Sequence, residues 1–140
     1  MTTEEINLVK NSWKLLRYVK PEIIGDVFYA KLFIESPQLK PLFKSSVEEQ
    51  SRKFITILNL IIARLENMEG LHETIRELAI RHKHYGVKTF HYEPVGYALL
   101  WTIETALGAD WTETVGKAWA KCYTTLASVM IEATHTSPAG

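Results

Sequence analysis

Cysteine is almost absent from the 140-residue chain: Cys122 stands alone. One thiol excludes an internal disulfide, a multi-cysteine zinc site, an iron–sulfur cluster and a C-x-x-C-H haem attachment. Glycine and proline are scarce, at 7 and 5 residues, and mainly mark punctuation points. No Asn-Gly or Asp-Gly pair signals a hairpin, and no long stretch alternates with period two. The longest apolar run, Phe54 to Ala63, is interrupted by Thr56 and Asn59. It falls far short of the roughly 20 residues that cross a bilayer. The polar, acidic N-terminus lacks the basic and apolar parts of a signal peptide. A charge excess is missing too: 16 Lys and Arg balance 16 Asp and Glu. No global field therefore draws in nucleic acid or an anionic membrane, though local patches remain open. These absences lead us to expect a cytoplasmic protein that partners neither nucleic acid nor membrane.

What is present is helical spacing. Apolar residues recur at three and four along the whole chain. A first helix is expected over Thr3–Tyr18, with Thr3 as N-cap and Glu4 and Glu5 in the first turn. Pro21 opens a second helix to Glu35. Ser36-Pro37 starts a short third helix ending near Phe43, and Lys44 to Ser46 forms a polar corner. A long helix follows over Val47–Asn67, then one over Leu71–Tyr85 that stops at Gly86. Val87 to Tyr92 is expected as loop. Pro94 opens a helix to Leu107, and Thr112 caps a last helix to Thr134, before a frayed tail from Thr136 to Gly140. This is a single all-α domain over 1–140, with six long helices and a short one. Chains of this kind form bundles or globin-like packings.

Few polar residues fall on inward faces. Of five histidines, His82 shares a face with Ile75, Leu78 and Ala79, which marks a satisfied core histidine or a ligand. His84, two residues on, faces elsewhere, so the two cannot chelate one metal from a regular helix. Gly25 within a helix costs up to about 1 kcal/mol against alanine, which a close helix crossing repays. Ser51 is the small partner such a crossing needs, and it would bring Tyr29 near Gln50 and Phe54. Gln50 begins an otherwise apolar face.

Together these residues resemble a family. His82-Lys-His-Tyr-Gly86-Val87, then His91-Tyr92-x-Pro94-Val95-Gly96, is similar to the proximal-histidine region of bacterial single-domain globins, relatives of the flavohaemoglobin haem domain. Pro41-Leu42-Phe43, Phe28-Tyr29-Ala30-x-Leu32-Phe33, Gln50-Ser51-Arg52-Lys53, and Trp119 with Tyr123 match in order. The likeness runs from about Glu4 to Ile131 and is greatest to the Hell's Gate globin I type. It implies a globin fold around a b-type haem (heme b, iron protoporphyrin IX). His82 would be the iron ligand, Phe43 and Phe54 would pack at the haem, and Lys53 would reach a propionate. Tyr92 matches a tyrosine that, in many relatives, joins a glutamate in bonding the proximal histidine. Thr134 falls where we place that glutamate, so a strong anionic partner for His82 is not expected.

The distal donors implied are Tyr29 and Gln50. A hydrogen bond to a charged acceptor is worth about 1.5–3 kcal/mol, so two donors predict tight, slowly released O2. The resemblance implies reversible O2 binding for transport or storage at a five-coordinate ferrous iron, with NO and CO as further gaseous ligands. Nitric oxide dioxygenase activity with an external reductase is the alternative, with Tyr29 and Gln50 as the catalytic pair. A haem-based gas or redox sensor is the third reading.

Overall fold

A computed structural model describes residues 1–84 and 86–136, with the side chains of 135 and 136 excluded. Among the described residues the regular structure is entirely helical. Six α-helices are α1 (Thr3–Leu15), α2 (Pro21–Glu35), α3 (Val47–Ala63), α4 (His72–His84), α5 (Tyr92–Leu107) and α6 (Glu113–Thr136). Short 3₁₀ segments occupy Pro37–Leu42, Leu65–Leu71, Thr89–His91 and Gly108–Asp110. The six long helices are those expected from spacing, and Pro37–Leu42 is the short one.

Several boundaries differ from expectation for local reasons. The N-cap of α1 is Thr2, not Thr3: the Glu5 N–H donates to Thr2 Oγ1 at 3.1 Å, and the Thr2 N–H donates to Glu5 Oε1 at 2.7 Å. This reciprocal capping box satisfies two otherwise free donors. α1 also stops at Leu15 rather than Tyr18. α3 ends at Ala63 instead of Asn67, where φ −135° and ψ 61° leave helical space. The Asn67 side chain accepts the Gly70 N–H at 3.3 Å, a local bond that competes with the helix. α5 begins at Tyr92, so Pro94 sits inside its first turn, where N–H groups need no intrahelical partner. No helix lies between Leu42 and Val47, and Ser46 caps α3 by accepting the Glu49 N–H at 3.2 Å. Thr136 belongs to α6, and the rest of the expected tail, 137–140, lies outside the described residues.

The packing sets up the site. α2 crosses α3 in the most extensive helix contact and also packs on α5. Gly25 makes that crossing possible: a Cβ there would stand 2.6 Å from Ser51 Oγ and 2.8 Å from Ser51 Cα. Ser51, fully buried, donates to Asp26 Oδ1 at 3.2 Å. α1 packs on α6, where the Trp119 indole N–H donates to Ser12 Oγ at 2.8 Å inside the core. α4 packs on α6 and has no sizeable interface with α3. The core accordingly divides into a large cluster including Phe28, Leu32, Ile55, Ile103 and Trp119, and a small one of Leu71, Ile75, Ala79, Met130 and Ala133. No described helix is long and apolar enough to cross a membrane.

Candidate functional site

The α2–α3 crossing sets Tyr29 among aromatic rings. Its ring lies 4.9 Å from Phe28, 5.3 Å from Phe43 and 6.1 Å from Phe54, with Phe33 5.8 Å away. The expected approach of Tyr29 to Phe54 is therefore present. Burial pushes the Tyr29 phenol well above its ordinary pKa, so it stays protonated and remains a donor. Its hydroxyl bonds no described residue.

Tyr29 and Gln50 line one cavity of about 80 Å³, together with Phe33, Lys40, Phe43, Ser45 and Val47. The Gln50 side-chain amide likewise bonds no described residue, its backbone N–H alone donating to the Ser46 carbonyl at 2.9 Å. Two uncommitted donors thus share a small, largely apolar space. Its volume accepts a diatomic gas or a water or two, not a macrocycle.

His82 occupies the last turn of α4 and is half-buried beside Leu78 and the fully packed Ile75 and Ala79. Its Nδ1 lies 2.8 Å from the Leu78 carbonyl. A carbonyl only accepts, so Nδ1 carries the proton and donates, which leaves Nε2 with its lone pair. Burial lowers the ring pKa below its ordinary value, the Leu78 bond opposes this, and Arg81 reinforces it. The result is a neutral imidazole with one committed nitrogen and one free, the form in which histidine ligates metals. His84 is exposed, as its position two residues on requires.

The remaining expected residues are placed unevenly. Phe54 and Phe43 lie against Tyr29 as described. Lys53 is 63% exposed and pairs with Glu49 Oε1 at 3.4 Å. Tyr92 is half-buried at the start of α5, and its carbonyl accepts the Tyr123 hydroxyl at 2.6 Å. The described hydrogen bond of the His82 ring goes to Leu78, not to Tyr92. Thr134 donates to the Ile131 carbonyl of its own helix at 2.7 Å. No carboxylate is among the groups that shift His82.

The residues fit a haem in their chemistry. The donor set is a free Nε2 on a neutral imidazole, and the described residues hold no group of three or more His, Cys, Asp or Glu that could bind an ion by themselves. Each hydrophobic cluster is fringed by half-buried apolar side chains, including Phe54, Ile57, Val95 and Leu100 on one and Leu60, Leu78 and Tyr92 on the other. An apolar fringe left partly exposed on α3, α4 and α5 is what a flat apolar group would cover.

Sequence reasoning missed two features. The Leu78 carbonyl as partner of His82 carries no side-chain signature. Lys40 lines the Tyr29–Gln50 cavity because the 3₁₀ turn at Pro37–Leu42 brings it there, and its sequence neighbourhood reads simply as polar surface.

Comparison with known proteins agrees with this architecture. A family model described as Globin matches residues 26–130. A flavohemoprotein of Vibrio cholerae serotype O1 is 28% identical over 135 residues, 94% of this chain and 34% of its own length. A flavohemoprotein of Bacillus cereus is 28% identical over 134 residues, 94% of this chain and 33% of its own. The chain thus spans about a third of these curated relatives. Among solved structures, a bacterial globin from Campylobacter jejuni superposes with a TM-score of 0.83 at 28% identity, covering 96% of both chains. An engineered carbene transferase made from a candidate nitric oxide dioxygenase of Rhodothermus marinus gives 0.86 at 26%, covering 100% of this chain and 99% of that one.

Proposed function

The chain belongs to the globin family, and on that premise we propose that it is a haem protein that binds O2 reversibly, with His82 as the iron ligand of a b-type haem. When bound, the haem supplies an iron with an open position for a small gas such as O2, NO or CO. His82 Nε2 holds the iron, and the Leu78 carbonyl fixes the imidazole tautomer and orientation. Tyr29 and Gln50 donate to a polar gas in the distal cavity, while Phe33, Phe43 and Val47 line that space with apolar surface. Phe43, Phe54 and Tyr92 supply apolar contact to the macrocycle, and Lys53 reaches a propionate on leaving Glu49. The observation that carries this reading is a half-buried imidazole with a free Nε2 in a fold whose small distal cavity holds two uncommitted donors. Within the family, the ordered motifs from about Glu4 to Ile131 support a place beside the Hell's Gate globin I type.

The test is Tyr29→Phe, which keeps the ring and removes the donor. A lost hydrogen bond of about 1.5–3 kcal/mol speeds O2 release roughly 10- to 150-fold. Carbon monoxide, a poor acceptor, should leave at nearly its wild-type rate. Unchanged O2 release with faster CO release would refute the donor role.

A second reading is nitric oxide dioxygenase activity with an external reductase, favoured by the likeness to flavohemoproteins and to the Rhodothermus marinus protein. Both readings use the same pocket. Sustained turnover of nitric oxide to nitrate with a cellular reductase, at the single-turnover rate, would favour the enzyme. A haem-based sensor is the third reading and has no residue of its own in support.

A further inference from the structure

The charge balance of the chain conceals a local imbalance. Residues 36–46 and 78–92 contain Lys40, Lys44, Arg81, Lys83 and Lys88, and not one Asp or Glu. The fold brings these segments together: a Cβ on Gly86 would stand 3.3 Å from Leu42 Cδ2. All five basic side chains are exposed, and none is in an ion pair among the described residues. Arg52 and Lys53, by contrast, are neutralised by Glu48 and Glu49 on their own helix. The dipole of α4 accounts for Arg81 and Lys83 in its last turn. It does not account for Lys40, Lys44 and Lys88, which lie outside α4. Phe90, 71% exposed, stands in the second segment beside Lys88, and Val47 is 43% exposed just beyond the first.

We propose that this basic face, centred on the Leu42–Gly86 contact, is the docking surface for an acidic one-electron donor protein. The proposal rests on the haem reading above. It is the location that selects this partner: Lys40 lines the Tyr29–Gln50 cavity, and His82 lies within the second segment. A protein bound here sits over the site. The donor gives up one electron and is oxidised by one electron; ferric iron takes it and becomes ferrous, and no bond is made or broken. Lys40, Lys44 and Lys88, on the two segments that meet at Leu42 and Gly86, steer a carboxylate-rich surface, and the exposed Phe90 near Lys88 supplies an aromatic anchor, whereas Lys83 turns towards the Thr134 carbonyl of α6 at 3.5 Å. One exposed aromatic is too little apolar area to hold the face on a bilayer.

The test uses the haem-loaded protein and flavodoxin, an acidic one-electron flavoprotein, as probe. Calorimetry measures binding of oxidised flavodoxin, and stopped-flow mixing measures reduction of the ferric protein by reduced flavodoxin, both against ionic strength. Lys44→Glu with Lys88→Glu should weaken binding and slow reduction roughly 10-fold at low ionic strength. Reduction by dithionite should stay unchanged. Lys14→Glu with Lys117→Glu, which changes the net charge equally from exposed positions on α1 and α6, should leave both near wild type. Salt-independent binding, or equal losses in both double variants, would overturn the proposal. So would Lys44- and Lys88-dependent sedimentation with phosphatidylglycerol vesicles without any effect on flavodoxin. A protein with no haem spectrum would instead defeat the haem reading, and calorimetry would still decide the docking face.

Discussion

Gly25→Ala tests the crossing that builds the distal side. Helix propensity alone favours alanine by up to about 1 kcal/mol. The structure opposes this, because the new Cβ would lie 2.6 Å from Ser51 Oγ and 2.8 Å from Ser51 Cα. A hydroxyl can rotate away, but a backbone Cα cannot, so α2 and α3 must part. Overpacking of this kind costs about 1–3 kcal/mol. Disturbing the Ser51–Asp26 bond adds about 1 kcal/mol. After the propensity gain, we expect a net loss of about 1–3 kcal/mol. For a domain of this size that lowers Tm by roughly 3–10 °C, measurable by scanning calorimetry. Tyr29 is one turn from Gly25 and Phe54 is close to Ser51, so the distal donors should shift as well. O2 release from Gly25→Ala should therefore accelerate although no donor is removed. Adding Ser51→Gly removes the Cβ and Oγ clash but not the Cα clash, so it should restore only part of the stability. A Tm equal to or above wild type would show that the crossing is looser than described.

Further expectations follow from single groups. Cys122 is 7% exposed, and burial pushes its thiol up to about 11. Since the thiolate is the nucleophile, alkylation of the folded protein should be very slow at pH 8 and keep rising through pH 9 and 10. A rate that levels off near pH 9 would show an ordinary exposed thiol. Gly86 has φ +94°, and Leu42 leaves little room for a side chain. Gly86→Ala should cost about 1–2 kcal/mol in chemical denaturation. Because it strains the turn after His82, it should also speed haem loss to an apoglobin acceptor; wild-type behaviour in both would contradict the turn geometry.

Much of this was legible in the sequence. Pro21 and Glu35 bound α2 where the spacing places them, and Gly25 with Ser51 announces the crossing because a mid-helix glycine needs a reason. His82 was separable from His84 by face alone. The end of α3 was not legible, since Ile61, Leu65 and Met68 keep helical spacing past the point where Asn67 bonds Gly70. The start of α5 was hidden by Pro94, which reads as a first residue yet sits in the first turn. At the candidate site, spacing placed Tyr29 near Phe54 and set His82 on the face of Ile75 and Ala79, and the structure has both arrangements. The tautomer of His82 was not legible, because its partner is a backbone carbonyl. The basic face was invisible for another reason: it requires 36–46 and 78–92 to meet, and overall composition cancels it.

A haem held by His82 would leave a plain optical signature. Absorption spectra of the wild type, His82→Ala and His84→Ala, each reconstituted with hemin and reduced with and without carbon monoxide, test it directly. We expect stoichiometric haem in the wild type and His84→Ala, a five-coordinate ferrous spectrum without added ligand, and loss or great loosening of haem in His82→Ala. Haem held normally by His82→Ala but lost by His84→Ala, or a low-spin bis-imidazole spectrum in the unliganded ferrous wild type, would contradict it.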